Sequence, residues 1–339
     1  MLTATILLGL TLQGAFSAPP KQLLYFPNEK IIRVRAMFIA AADDNGGHRH
    51  TNNFGRTGKT ESAAEIASIV REMNKAYACA GIKLEFDPRT DFKVRNRTAL
   101  NRNFSSDLDD PEFALPESAL TDRSKLPRKF DPAFTAEKLK LVEEFPDRIV
   151  FLLQDGSSWN WDGQRGRWFA GTQNMGLNAN GMITASGVAA PLLIHEMGHY
   201  FGLPHTFANV SADSPARMKA MLEDAMKSGK SKDEAIRIFD GDGFADTPAD
   251  PGPFVLQTLG YGAFKSKFGW DLEFEGTEGE SYTWKINPDV YNWMSYYPEV
   301  SYTHPATQKV EGHFSREQAA AMRDFATKKL ANKLVAKSN

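Results

Sequence analysis

The sequence predicts an α+β fold, and three observations carry the prediction. A β-branched run, an amphipathic helix and an alternating segment follow one another between Ile31 and Phe86. A helix opening near Pro191 holds histidines four residues apart and meets a stop signal at Gly202. The rest is rich in loops until a closing helix over Ser315 to Lys333, with Phe314 before its cap and Glu317 in its first turn. The 339 residues suffice for one large domain or two modest ones, and 42% hydrophobic content is ordinary for a globular enzyme. A net charge of −2 without a long Lys/Arg cluster argues against a nucleic-acid groove or a polybasic membrane patch.

Residues 1–17 read as a signal peptide: an apolar run through Leu10 leads to Ala15-Phe16-Ser17, although no Lys or Arg precedes the run. The run is too short to span a bilayer, and residues 18–30 read as a linker or short propiece. The expected location is therefore extracellular or periplasmic. Ile31 to Ile39 is the first strand, and Asp43 to Gly58 a polar loop in which His48 and His50 are solvated. Glu61 to Ala80 is a helix with its stripe at Ile66, Ile69, Val70, Met73 and Tyr77, followed by a strand over Ile82 to Phe86. Cys79, the only cysteine, excludes an intramolecular disulfide and reads as an inert buried residue. Arg89 to Lys129 is charged and proline-broken, hence a surface loop; a helix over Thr135 to Phe145 and a buried strand over Arg148 to Leu153 follow. Ser157 to Gly181 is rich in Trp and Gly.

The segment Pro191 to Phe207 contains HExxH as His195, Glu196 and His199, and continues to Gly202 and His205. Residues four apart stack on one helix face, so His195 and His199 can share an ion with Glu196 beside them. A third ligand must come from beyond the helix. Gly202 lets the chain turn back, Pro204 prevents the helix from resuming, and His205 returns to the metal. HExxH alone arises by accident, but HExxHxxGxxH is specific. A hydrogen-bonded core helix would explain the histidines without metal; a structural zinc site would leave Glu196 without a role and usually has a fourth ligand.

Beyond Phe207, Ala216 to Met226 and Lys232 to Ile238 read as helices, with Ser231 as a cap. Asp240-Gly241-Asp242-Gly243-Phe244-Ala245-Asp246 is an oxygen-rich loop, either a calcium site through Asp240, Asp242 and Asp246 or an Asp/Gly turn with solvated carboxylates. Gly252 to Lys285 reads as loop-rich, and the spare His304 and His313 as surface or cap residues.

These motifs resemble the metzincin metallopeptidases, whose extended histidine motif and methionine turn are matched by His195 to His205 and Tyr291 to Tyr296. His205-Thr206-Phe207, Asp246-Thr247-Pro248 and Phe314 to Arg323 are most similar to the pappalysin family. The resemblance implies a zincin with a mixed-sheet upper subdomain and active-site helix over 31–206, and an irregular lower subdomain over 207–339 in which 208–239 is an insertion. It also implies a secreted zinc metalloendopeptidase acting on a protein or peptide substrate. Zinc would be held by His195, His199 and His205, with an open position for water and Glu196 as general base. Met294 would pack beneath the imidazoles, Tyr296 would stabilise the oxyanion, and calcium would lie near Asp240 to Asp246. Substrates would pair with an edge strand within Arg167 to Met175. The alternative is a catalytically silent metal-binding module on the same scaffold.

Overall fold

The computed structural model describes residues 23–42, 44, 62–97, 100, 136–154, 157–162, 167–172, 176–179, 181–185, 189–207, 215–252, 270–275, 281–286, 288–289, 291–295 and 312–335. Its spine is β1 (Ile32–Ala42), which has a partner on each edge. Along one edge run β2 (Ile82–Glu85) and then β3 (Phe92–Asn96); along the other runs β4 (Ile149–Leu153), all parallel to β1. Parallel β8 (Met182–Ala185) and antiparallel β7 (Gly176–Ala179) extend the sheet beyond β4. The six strands thus make a mixed sheet, five parallel and one antiparallel.

Side chains alternate across a strand, so this sheet sorts its apolar residues into two cores. Ile32, Val34, Ala36 and Phe38 of β1 join Ile149, Phe151 and Leu153 of β4 on one face. Met37, Ile39 and Ala41 join Val150 and Leu152 on the other. The first face is covered by α1 (Ala63–Tyr77), α3 (Ala190–Tyr200) and α6 (Arg316–Lys329), the second by α2 (Ala136–Glu144) through Leu141. Burial on both faces explains why β1 changes from alternating to continuously buried at Ala36.

Local chemistry sets the helix limits. Ser62 and Glu65 form a capping box at α1, and of its expected stripe Ile66, Val70, Met73 and Tyr77 are buried while Ile69 is partly buried. Beyond a 3-10 turn over Ala78–Ala80, Gly81 at φ 64° turns the chain into β2. In the expected insertion, α4 (Pro215–Lys227) and α5 (Lys232–Ile236) are present, and Ser231 caps α5 with Glu234. Ser315 and Gln318 box the start of α6.

Two loop readings and the expected edge strand are corrected. Arg89 to Lys129 is not all loop, because β3 uses the second half of the edge that β2 begins. Gly252 to Lys285 contains β9 (Trp270–Glu275), which with β10 (Ser281–Ile286) makes an antiparallel hairpin beside α4. Within Ser157 to Gly181, β5 (Ser157–Asp162) and β6 (Arg167–Thr172) form a hairpin of their own. The antiparallel edge of the main sheet is therefore β7, just beyond the expected Arg167 to Met175. Ala179 pairs with Met182 across the two residues Asn180-Gly181, a loop length and sequence that favour a hairpin, and Gly181 has φ 77°. His48, His50, His304 and residues 1–17 lie outside the described residues.

Candidate metal centre

Helix α3 runs through the first core, and only its histidine face opens away from it. Leu192, Leu193, Ile194 and Met197 are buried in the core, and the Tyr77 hydroxyl donates to the Ile194 carbonyl at 2.6 Å. The helix then ends as its sequence dictates. Gly202 has φ 87°, the Leu203 N–H reaches the Gly198 carbonyl at 3.1 Å and the Gly202 N–H reaches that of His199 at 2.9 Å. This is a Schellman stop, and it turns His205 back over the helix.

The three imidazoles converge. Nε2 of His195 lies 3.0 Å from that of His199 and 3.2 Å from that of His205, and the last two are 2.9 Å apart. A tetrahedral ion with nitrogen ligands at about 2.0–2.1 Å separates neighbouring nitrogens by about 3.3 Å, so three corners of such a site are laid out. Backbone carbonyls fix two of the tautomers. Nδ1 of His195 is 2.7 Å from the Trp293 carbonyl, and Nδ1 of His199 is 2.7 Å from the Leu203 carbonyl. A carbonyl only accepts, so both Nδ1 atoms carry hydrogen and both Nε2 atoms direct lone pairs at each other. Facing lone pairs repel unless a cation lies between them, and the residues therefore fit a metal ion.

Burial also holds these rings neutral. It is the largest cause lowering His195 to about 3 and His205 to about 4, the neighbouring His199 adding to both, and it lowers His199 as well. Glu196, next to His195, is only 5% exposed. Among the described residues, this triad is the one group of three or more His, Cys, Asp or Glu whose ligand atoms lie within 4.8 Å of one another.

Beneath the triad lies the turn Asn292 to Ser295. The Ser295 N–H closes it on the Asn292 carbonyl at 3.0 Å, and the Thr206 N–H donates to the Met294 carbonyl at 3.2 Å. Met294 is fully buried, and a Cβ at Gly198 would collide with its sulfur, so glycine between His195 and His199 lets the turn approach. Tyr296, the expected oxyanion stabiliser, lies outside the described residues.

His205 is held from outside the helix. Phe207 stacks on its ring at 4.6 Å and forms bridges with both Asp240 and Asp250. The buried Asp250 accepts from the Thr206 hydroxyl at 2.8 Å and from the Gly252 N–H at 2.8 Å. Asp250 was not legible as a site residue; its only signal was an aspartate before Pro251-Gly252.

The structure does not bring Asp240, Asp242 and Asp246 together as ion ligands. Asp240 pairs with Arg237 and accepts from the Asp242 and Gly243 N–H groups. Asp242 accepts from Thr247, the Phe244 N–H and Gln318. Asp246 binds the start of α6 through the Ser315 hydroxyl and the Glu317 N–H, while the Glu317 carboxylate accepts from the Ala245 N–H. The carboxylates brace the loop because donors of their own protein already occupy them. His313, expected at the surface or a cap, instead pairs with Asp289 at 2.5 Å, and its backbone bonds both Tyr291 and Trp293.

No protein-family model matches the chain, and no curated protein matches it. What the geometry establishes is a metzincin-like arrangement of three histidines at an α-helix, able to hold one metal ion such as zinc. No helix among the described residues is long and apolar enough to cross a membrane.

Proposed function

We propose that the chain is a zinc-dependent metalloendopeptidase of metzincin type, similar to the pappalysins, that hydrolyses peptide bonds in a protein or peptide substrate. The observation that supports this most is the pairing of two inward-facing imidazole lone pairs with a buried glutamate on the same helix. A structural site needs the first and has no use for the second. Zinc bound there supplies a Lewis acid for the carbonyl and lowers the pKa of water. Glu196 takes the proton of the attacking water and passes it to the leaving amine. The metzincin resemblance assigns Tyr296 to the oxyanion, and Met294 supports the ligands from below. The substrate adds a strand to the sheet edge at β7, which packs against α3. Secretion through residues 1–17 belongs to the same reading, as does the division into an upper subdomain over 31–206 and a lower one over 207–339.

Glu196→Gln tests it. Cleavage of an unstructured protein library is expected to fall by about 10²–10⁴-fold with bound zinc unchanged. Wild-type cleavage by the variant overturns the mechanism.

A further inference from the structure

Metal-ligating histidines commonly donate their second ring N–H to a carboxylate or a backbone carbonyl, which fixes the ring and strengthens it as a ligand. His195 uses the Trp293 carbonyl at 2.7 Å. That peptide group does not end the hydrogen-bond chain. Its other end, the Met294 N–H, donates to Oδ1 of Asn292 at 2.9 Å. Nδ2 of Asn292 donates to Oε1 of Gln318 at 3.0 Å, and Nε2 of Gln318 donates to Oδ2 of Asp242 at 3.1 Å.

The orientation of each amide is forced. The Met294 N–H can only donate, so Asn292 must turn its oxygen to it and its NH2 to Gln318. The Ser315 N–H donates to the same Gln318 oxygen at 3.0 Å, so Gln318 must turn its NH2 to Asp242. Every donor in the chain therefore points from His195 toward the carboxylate. Asn292 and Gln318 are fully buried, and such aligned amides polarise one another in low dielectric.

We propose that Asp242 is the charged end of an amide relay, with Asn292 and Gln318 as its side-chain links, that positions His195 and strengthens it as a metal ligand. The proposal rests on the metal-centre reading. It gives Asp242 a role toward the triad, and it makes Asn292, Gln318 and Asp242 positioning residues.

The test measures zinc affinity by chelator competition and the visible absorption of the cobalt-substituted protein, both well below each variant's melting temperature. Gln318→Met keeps the volume and cuts the relay. It is expected to weaken zinc roughly tenfold, at the low end for groups behind a ligand, and to shift the cobalt bands. In Asp242→Asn, the oxygen stays with Phe244 and Thr247, so an NH2 faces that of Gln318; zinc weakens in the same direction. Thr247→Val loosens the same loop without cutting the relay, and is expected to lower the melting temperature while leaving zinc affinity and spectrum unchanged. The proposal is overturned if Gln318→Met and Asp242→Asn hold zinc as tightly as the wild type with the same cobalt spectrum. Should Gln318→Met fail to fold, Asp242→Asn decides alone. A wild type that binds zinc but cuts no peptide removes the peptidase reading and leaves the relay to its zinc and cobalt results; one that binds no zinc overturns both.

Discussion

The histidine triad and the Asp240 to Asp246 loop look alike in sequence, each offering three metal-ligating side chains within a few residues of one another. In the structure the first converges and the second disperses. The difference lies in the partners already available. Two histidines have one nitrogen occupied by a carbonyl and turn the other toward the remaining rings of the triad. Each aspartate has its oxygens bonded by donors from Arg237, from the loop and Thr247, or from the start of α6 and its cap. Spacing proposes a metal site; the donors around it decide.

The strongest way to break the contrast is to remove a ligand. His199→Ala leaves two imidazoles and is expected to abolish stoichiometric zinc binding, read by metal analysis after dialysis; full zinc in the variant would remove the triad. Gly241→Ala probes where the two regions touch. A Cβ there collides with the backbone carbonyls of His205 and Phe207, which cannot swing aside, so a loss of about 1–3 kcal/mol in denaturant unfolding is expected, with weaker zinc binding.

Acid separates the regions by sign. In metal-free protein the folded-state values of His195 and His205 lie below the ordinary 6.5, at about 3 and about 4, so the unfolded chain binds more protons between them. Stability from the triad is present above pH 6.5 and is lost as pH falls from there toward 3. Asp242 works the other way: burial raises its carboxyl above 3.8, so acidification favours its folded form. Melting temperature against pH in the metal-free protein should therefore fall below 6.5, and a flat profile would contradict the buried neutral triad. The smallest effect concerns calcium. A calcium-selective chelator is expected to leave the melting temperature unchanged, and a clear drop would restore the loop as an ion site.

Much of the scaffold was legible. The stripe of α1, the stop at Gly202 and the cap at Ser231 are local signals, and local geometry realised them. What was missed depended on partners elsewhere in the chain. Strand β3 sits in a charged, proline-broken stretch, and only the unused half of a β1 edge reveals it. The β9 segment Trp-Asp-Leu-Glu-Phe-Glu does alternate, but short alternation between loop signals is a weak guide. At the site, ligand identity was readable from spacing, whereas the groups that orient the ligands were not. Trp293 and Leu203 act through carbonyls, which every residue possesses.

The partner that orients His195 comes 98 residues after it. The strand that opens the sheet is likewise bridged by Leu334, whose neighbour Val335 donates to the Arg33 carbonyl. A growing chain that has just passed Phe207 therefore owns its three histidines but not the turn that sets the first of them. Contacts so distant in sequence also form slowly. The setting of the first ligand thus depends on a turn, and on a helix bonded to that turn, which both follow all three histidines in the chain.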